Sequence, residues 1–194
     1  MANVNNPFGF SPYGTRNGST PNFRLSRRKI ISSYGTSIYT GDAVIPVSSG
    51  YIQQATASTV PMAGIFMGCE YLSVSQGNVV RSRYWGGADA NGDVTAYVID
   101  NPDALFVVQA GATPIAFASI NENAQLNVGT GSTITGQSGM FVDTVGTTST
   151  YPFIIVDFVQ DPTGANGTDI TTGYNWVIVG WNLEIFNAPH TSIS

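Results

Sequence analysis

Side chains branched at Cβ dominate this sequence, and good helix formers are nearly missing from it. Its 194 residues include 18 Val, 16 Ile and 20 Thr against 5 Leu, 3 Glu and a single Lys. Branching at Cβ stiffens χ1 and suits a pleated, half-buried surface better than a helix. The 22 Gly and 10 Pro are spread along the chain, as many short strands joined by many turns require. Disorder is the competing reading of so much Gly, Ser, Thr and Asn, but 42% hydrophobic residues with 11% aromatics supply a core. The expectation is an all-β protein, built as a compact β-barrel or β-sandwich.

Apolar runs broken by turn residues place strands near 43–47, 51–55, 62–72, 78–84, 94–99, 105–109, 153–160 and 174–186. The last is the clearest, with Val177, Val179, Trp181, Leu183 and Ile185 on one face and Asn182 and Glu184 on the other, the period of a half-buried strand. Trp181 is therefore expected in the core, and Trp85, beside Gly86-Gly87, on the surface. Ser48-Ser49-Gly50 and Asn91-Gly92 are expected to turn two hairpins. Residues 110–150, rich in Gly and Thr, read as an insertion of short strands and loops.

Charge is divided unevenly. All seven basic residues lie in the first 83 positions, and residues 84–194 carry ten carboxylates with no Lys or Arg. Residues 1–29 contain Arg16, Arg24, Arg27, Arg28 and Lys29 and no acid, with Phe8, Phe10, Tyr13 and Phe23 among prolines and glycines. This pattern has neither helical nor strand period, so residues 1–35 read as an extended basic arm and residues 36–194 as the β domain. Three uses of an arm are open: binding nucleic acid, trailing as a solvated tail, or lying on an acidic protein surface. The third fits best, since a pI near 4.5 makes the whole protein repel DNA. The nine residues just named are then the docking residues, and deleting residues 2–29 should leave a folded domain.

The chemistry of a catalyst is not evident. His190, the one histidine, is the fifth residue from the C-terminus, and with the lone Cys69 it makes neither a triad nor a zinc set. Cys69, within Ile65-Phe66-Met67-Gly68-Cys69, reads as a small buried hydrophobe. Asp89-Ala90-Asn91-Gly92-Asp93 begins like a calcium loop, but its glycine is misplaced and Asp100 stands where Glu should close it. Glu70, Glu122 and Glu184 form no recognisable catalytic pair, and Glu184 is expected on an outer face. Asn17-Gly18-Ser19 and Asn166-Gly167-Thr168 match glycosylation acceptors, discounted because no signal peptide precedes them. No run approaches 18 apolar residues, so no membrane partner is expected. Nor is a metal or cofactor expected.

Several segments resemble tailed-phage capsid decoration (cement) proteins: Met1-Ala2-Asn3 with Asn6-Pro7-Phe8-Gly9-Phe10, Ile38-Tyr39-Thr40-Gly41-Asp42-Ala43-Val44, Gly64-Ile65-Phe66-Met67-Gly68-Cys69-Glu70-Tyr71, Arg83-Tyr84-Trp85 and Ala96-Tyr97-Val98-Ile99-Asp100-Asn101-Pro102. The order of the strands near 43, 51 and 64 is also similar to lambda-type head-decoration proteins. The resemblance implies a β-tulip or jelly-roll-like fold and a homotrimer on the outer capsid surface of a virion. It also implies that the chain binds the major capsid protein and its own copies, stabilises the shell, and neither contacts nucleic acid directly nor acts as an enzyme. The alternative is a receptor- or glycan-binding virion surface protein, using an exposed Trp85, Trp176 or Trp181.

Overall fold

The computed structural model of the chain describes residues 2–20, 23–57, 60–159 and 167–186. His190 and Asn166 lie outside them. The fold is all-β, and the strands pair into two main sheets and a short ribbon. The first sheet runs β1 (Ser11–Thr15), β10 (Ala104–Gln109), β14 (Trp176–Trp181), β13 (Phe153–Phe158), β11 (Asn123–Asn127) and β12 (Phe141–Gly146), all antiparallel. The second runs β2 (Leu25–Ile30), β9 (Val94–Ile99), β6 (Gly64–Leu72), β4 (Ala43–Pro46) and β5 (Ile52–Gln54), with β7 (Val79–Ser82) on the far end of β6. The ribbon pairs β3 (Ile38–Tyr39) with β8 (Tyr84–Trp85). Both sheets end in edge strands, so the architecture is a sandwich and not a closed barrel.

Alternation of side chains explains the layering. Phe106, Val108, Phe153, Ile155, Val177, Val179 and Trp181 of the first sheet meet Ala43, Ile65 and Ile99 of the second in the main core. The other face of the second sheet buries Val44, Phe66, Cys69, Ala96 and Val98 against Ile38 and Trp85 of the ribbon. Cys69 is thus a buried hydrophobe, and burial pushes its thiol pKa up to about 12. Val47–Gly50 turns the expected β4–β5 hairpin, with Gly50 N donating to Val47 O.

Several expectations are corrected. Trp85 is fully buried and donates from Nε1 to Tyr34 O, because β8 covers the second core. Asn91-Gly92 turns no hairpin: β9 pairs with β2 and β6, while Ala90 bridges to Ser73. β14 is central, so Ile178 is buried as well as Val177 and Val179, where a half-buried strand was expected. The strand stops at Trp181 and both Asn182 N and Leu183 N turn back to Pro152 O. Parity is lost there, and Glu184 ends fully buried, accepting from Phe186 N at 2.9 Å. Residues 110–150 are no insertion, since β11 and β12 complete the first sheet.

The largest correction concerns the segment read as an arm, two of whose described stretches are strands of the sandwich. β1 pairs with β10 and β2 with β9, so the extended segment supplies an edge strand to each sheet. Hydrogen bonding to strands distant in sequence substitutes for the periodicity that the segment lacks.

Candidate functional site

The face of the second sheet that meets the first sheet is covered at Ala43, Ile65 and Ile99, with Ile45 packed against the same core. Farther along the same strands that face is open to solvent. Alternation puts Leu25, Arg27 and Lys29 of β2 there, beside Thr95 and Tyr97 of β9, Glu70 and Leu72 of β6, and Val79 and Arg81 of β7. In register, Lys29, Thr95, Glu70 and Arg81 form one row across four strands, and Arg27 stands opposite Tyr97.

The row is bonded internally. Lys29 Nζ donates to Thr95 Oγ1 at 2.9 Å and Arg81 Nε to Glu70 Oε2 at 3.2 Å. The Arg27 guanidinium lies 5.9 Å over the Tyr97 ring, a cation–π arrangement. A hydrogen bond from Tyr97 and the Arg81 guanidinium hold the Glu70 carboxyl below its ordinary range. Three cations therefore share one strand-held face with a single carboxylate. Leu25 (46% exposed), Leu72 (41%) and Val79 (66%) give the same face an apolar margin.

The nine docking residues expected from sequence separate into two groups. Phe8 packs edge-on against Trp176 at 5.1 Å, and Phe10, 1% exposed, stacks on Phe153 at 4.3 Å. Phe23 packs against the main core. Arg16 Nη2 donates to Trp181 O at 2.9 Å with its guanidinium across Gly180. Arg28 points to the opposite face of β2 from Arg27 and pairs with Asp100 at 2.8 Å. All five make contacts within the chain, but only Phe10 is fully buried; Phe8, Phe23 and Arg28 are half-buried and Arg16 is exposed. Tyr13, Arg24, Arg27 and Lys29 are exposed, as is Arg16, and Arg27 and Lys29 share the open face of β2, Lys29 within the row and Arg27 beside it. Sequence reasoning did not find Arg81, Tyr97 or Glu70 as their neighbours; the only signal was Arg81's alternation within its strand.

The remaining chemistry is committed to structure. The Asp89 carboxylate accepts from Ser73 Oγ at 2.6 Å, Ser75 N at 2.8 Å and Ser75 Oγ at 2.9 Å. Ser73 first, then Ser75, hold it below the ordinary carboxylate range. It pins the β6–β7 turn and does not sit at a hairpin tip. Among the described residues no group of three His, Cys, Asp or Glu side chains is arranged to hold a metal. With Trp85 and Trp181 buried, only the half-buried Trp176 remains of the tryptophans considered for stacking on sugars. No family model, characterised protein or solved structure matches the chain.

Proposed function

We propose that this chain is a structural virion protein that binds the outside of a tailed-phage capsid and stabilises the shell, as the sequence resemblance implies. The observation that carries the docking mode is the face presenting Arg27, Lys29 and Arg81 with its margin of Leu25, Leu72 and Val79. A cationic face with exposed aliphatic side chains suits an acidic protein surface: charge steers the encounter and apolar burial holds the complex. The net charge of −5 opposes binding to DNA, and Tyr97, already under Arg27, is not offered to bases.

The mechanism is mass action. A protein that binds only the assembled shell stabilises it by RT ln(1 + [L]/Kd), about 2.7 kcal/mol at a hundredfold excess over Kd. The partners are the major capsid protein and, on the shell, two further copies of this chain. Arg27→Gln, Lys29→Gln and Arg81→Gln combined should weaken binding to purified particles at least tenfold in low salt, with the melting temperature of the free protein unchanged. The native protein should also approach the major capsid protein in copy number on a stained gel. Equal binding by the triple variant would move the docking surface elsewhere, and scarcity on the particle would remove the cement role.

A further inference from the structure

Where β10 ends and β12 begins, and independent of the cationic face, the N-terminal segment walls a cleft of mixed polar and apolar lining of about 500 Å³. A second recess of about 400 Å³ shares Asn6, Pro7 and Thr130 with it and extends it along the chain. Both lie in the size range of small-molecule sites. The wall is stapled in place: Asn3 Nδ2 donates to Asp169 O at 2.8 Å, Asn6 N to Gln109 Oε1 at 3.0 Å, and Gln109 Nε2 to Val4 O at 3.0 Å.

One side chain is held there at a conformational cost. Tyr174 has φ +62°, a region that bulky residues avoid and occupy only when their surroundings fix them. Its N–H donates to Gly111 O at 2.8 Å, and its carbonyl accepts from Gln109 Nε2 at 3.2 Å. Asp143 lies over Gly111, where an added Cβ would come within 2.6 Å of Oδ1, so the glycine leaves room for the carboxylate. The side chains of Asn5, Asn6, Thr130, Asp143 and Tyr174 make no hydrogen bond to another group among the described residues. Phe141 adds a second ring to the lining.

We infer that this cleft binds a neutral saccharide through Asn5, Asn6, Thr130, Asp143, Phe141 and Tyr174. Three alternatives fail on chemistry. Among the described residues no Lys, Arg or His lines either recess, so an anion finds no counter-charge there. Among the described residues no group of three His, Cys, Asp or Glu side chains is placed to hold a metal, and Asp143 alone brings one negative charge where tight calcium sites gather several. A purely apolar ligand would bury two amides, a hydroxyl and a carboxylate without partners. A sugar ring matches the set: its hydroxyls pair with amide, hydroxyl and carboxylate groups, and its C–H face packs on Tyr174 and Phe141.

The test uses the full chain and a panel of neutral tri- and tetrasaccharides built from glucose, galactose, mannose and N-acetylglucosamine. Matched oligosaccharides carrying a uronic or sialic acid serve as the acidic arm. Saturation-transfer NMR and calorimetry should find at least one neutral member binding with Kd of about 10⁻⁴ to 10⁻³ M. Asp143→Asn should weaken it roughly tenfold, the loss expected for one charge-assisted hydrogen bond. Tyr174→Asn should do likewise while keeping a residue that tolerates positive φ. If that variant does not fold, Asp143→Asn and Thr130→Val carry the test. No binding by any neutral saccharide, native-like binding by Asp143→Asn, or tighter binding of the acidic arm each overturns the assignment.

Discussion

Phe10 shows how far a residue's role departs from its neighbourhood in sequence. Flanked by Gly9 and Ser11 in a segment without period, it stacks on Phe153 and meets Phe106 edge-on at 6.5 Å. Phe10→Ala should destabilise the protein by about 3 to 5 kcal/mol, read as a drop of about 10 °C or more in melting temperature. Asp42 carries a prediction with a sign. Burial pushes its pKa up, against opposing hydrogen bonds from Ser138, Tyr39 N and Gln54. The folded state therefore holds this proton more tightly than the unfolded state, so the cost of ionising Asp42 is absent at acid pH. That cost grows as pH rises from the ordinary value of 3.8 through the raised one. Asp89 and Asp169 are shifted down by hydrogen bonds from Ser73 and from Thr171 respectively; their contribution is lost as pH falls. Asp42→Asn removes only the first effect. Its urea midpoint relative to the native protein should rise with pH above 3.8, and a pH-independent difference would refute the assignment.

At the scale of elements, β6 is the hub of the second sheet, since it pairs with β9 along one side and with β4 and then β7 along the other. Two glycines let neighbours approach. Gly64, at φ +136°, leaves no space for a Cβ against Ile99 O and Val98 Cγ1; Gly68, at φ +142°, would bring one within 3.0 Å of Ser82 O. Gly64→Ala combines left-handed backbone strain of about 1 to 2 kcal/mol with overlap against backbone. It should cost at least about 3 kcal/mol in denaturant melts, and more than Gly68→Ala. The N-terminal strands make the second prediction here. Deleting residues 2–20 removes β1 and Phe10 and bares the edge of β10, so circular dichroism should show loss of cooperative unfolding. This replaces the expectation that the chain folds without its first 29 residues.

For the whole molecule, the decisive quantity is how little of it is charged. Only 10% of residues are Asp, Glu, Lys or Arg, against roughly 25% in ordinary soluble domains, and Ile134 is 95% exposed at the tip of its loop. A surface so neutral favours contact between copies, because interface cores exclude unpaired charge. Under the proposed function the copies form a homotrimer. Light scattering of the free protein at micromolar concentration should then give about three times the 20.5 kDa chain. A monomer both in solution and on the particle would remove the trimer.

What the sequence determined by itself is what local chemistry controls. Branched side chains specified strands, and alternation located β4 and β9 closely. The composition around Ser48-Ser49-Gly50 specified a hairpin, and apolar context put Cys69 and Trp181 in the core. The tertiary structure alone decided which segments pair. Ser11 meets Val107 and Leu25 meets Ile99, far along the chain, so residues that read as an arm became edge strands. Trp85 looked exposed beside two glycines until Tyr34 and the second core closed over it. The candidate site was legible only in part: Arg27 and Lys29 stood out as basic, but β9 and β6 bring Arg81 across from them. The physical reason is that strand pairing is made by hydrogen bonds between backbones common to every residue, and nothing local names the partner.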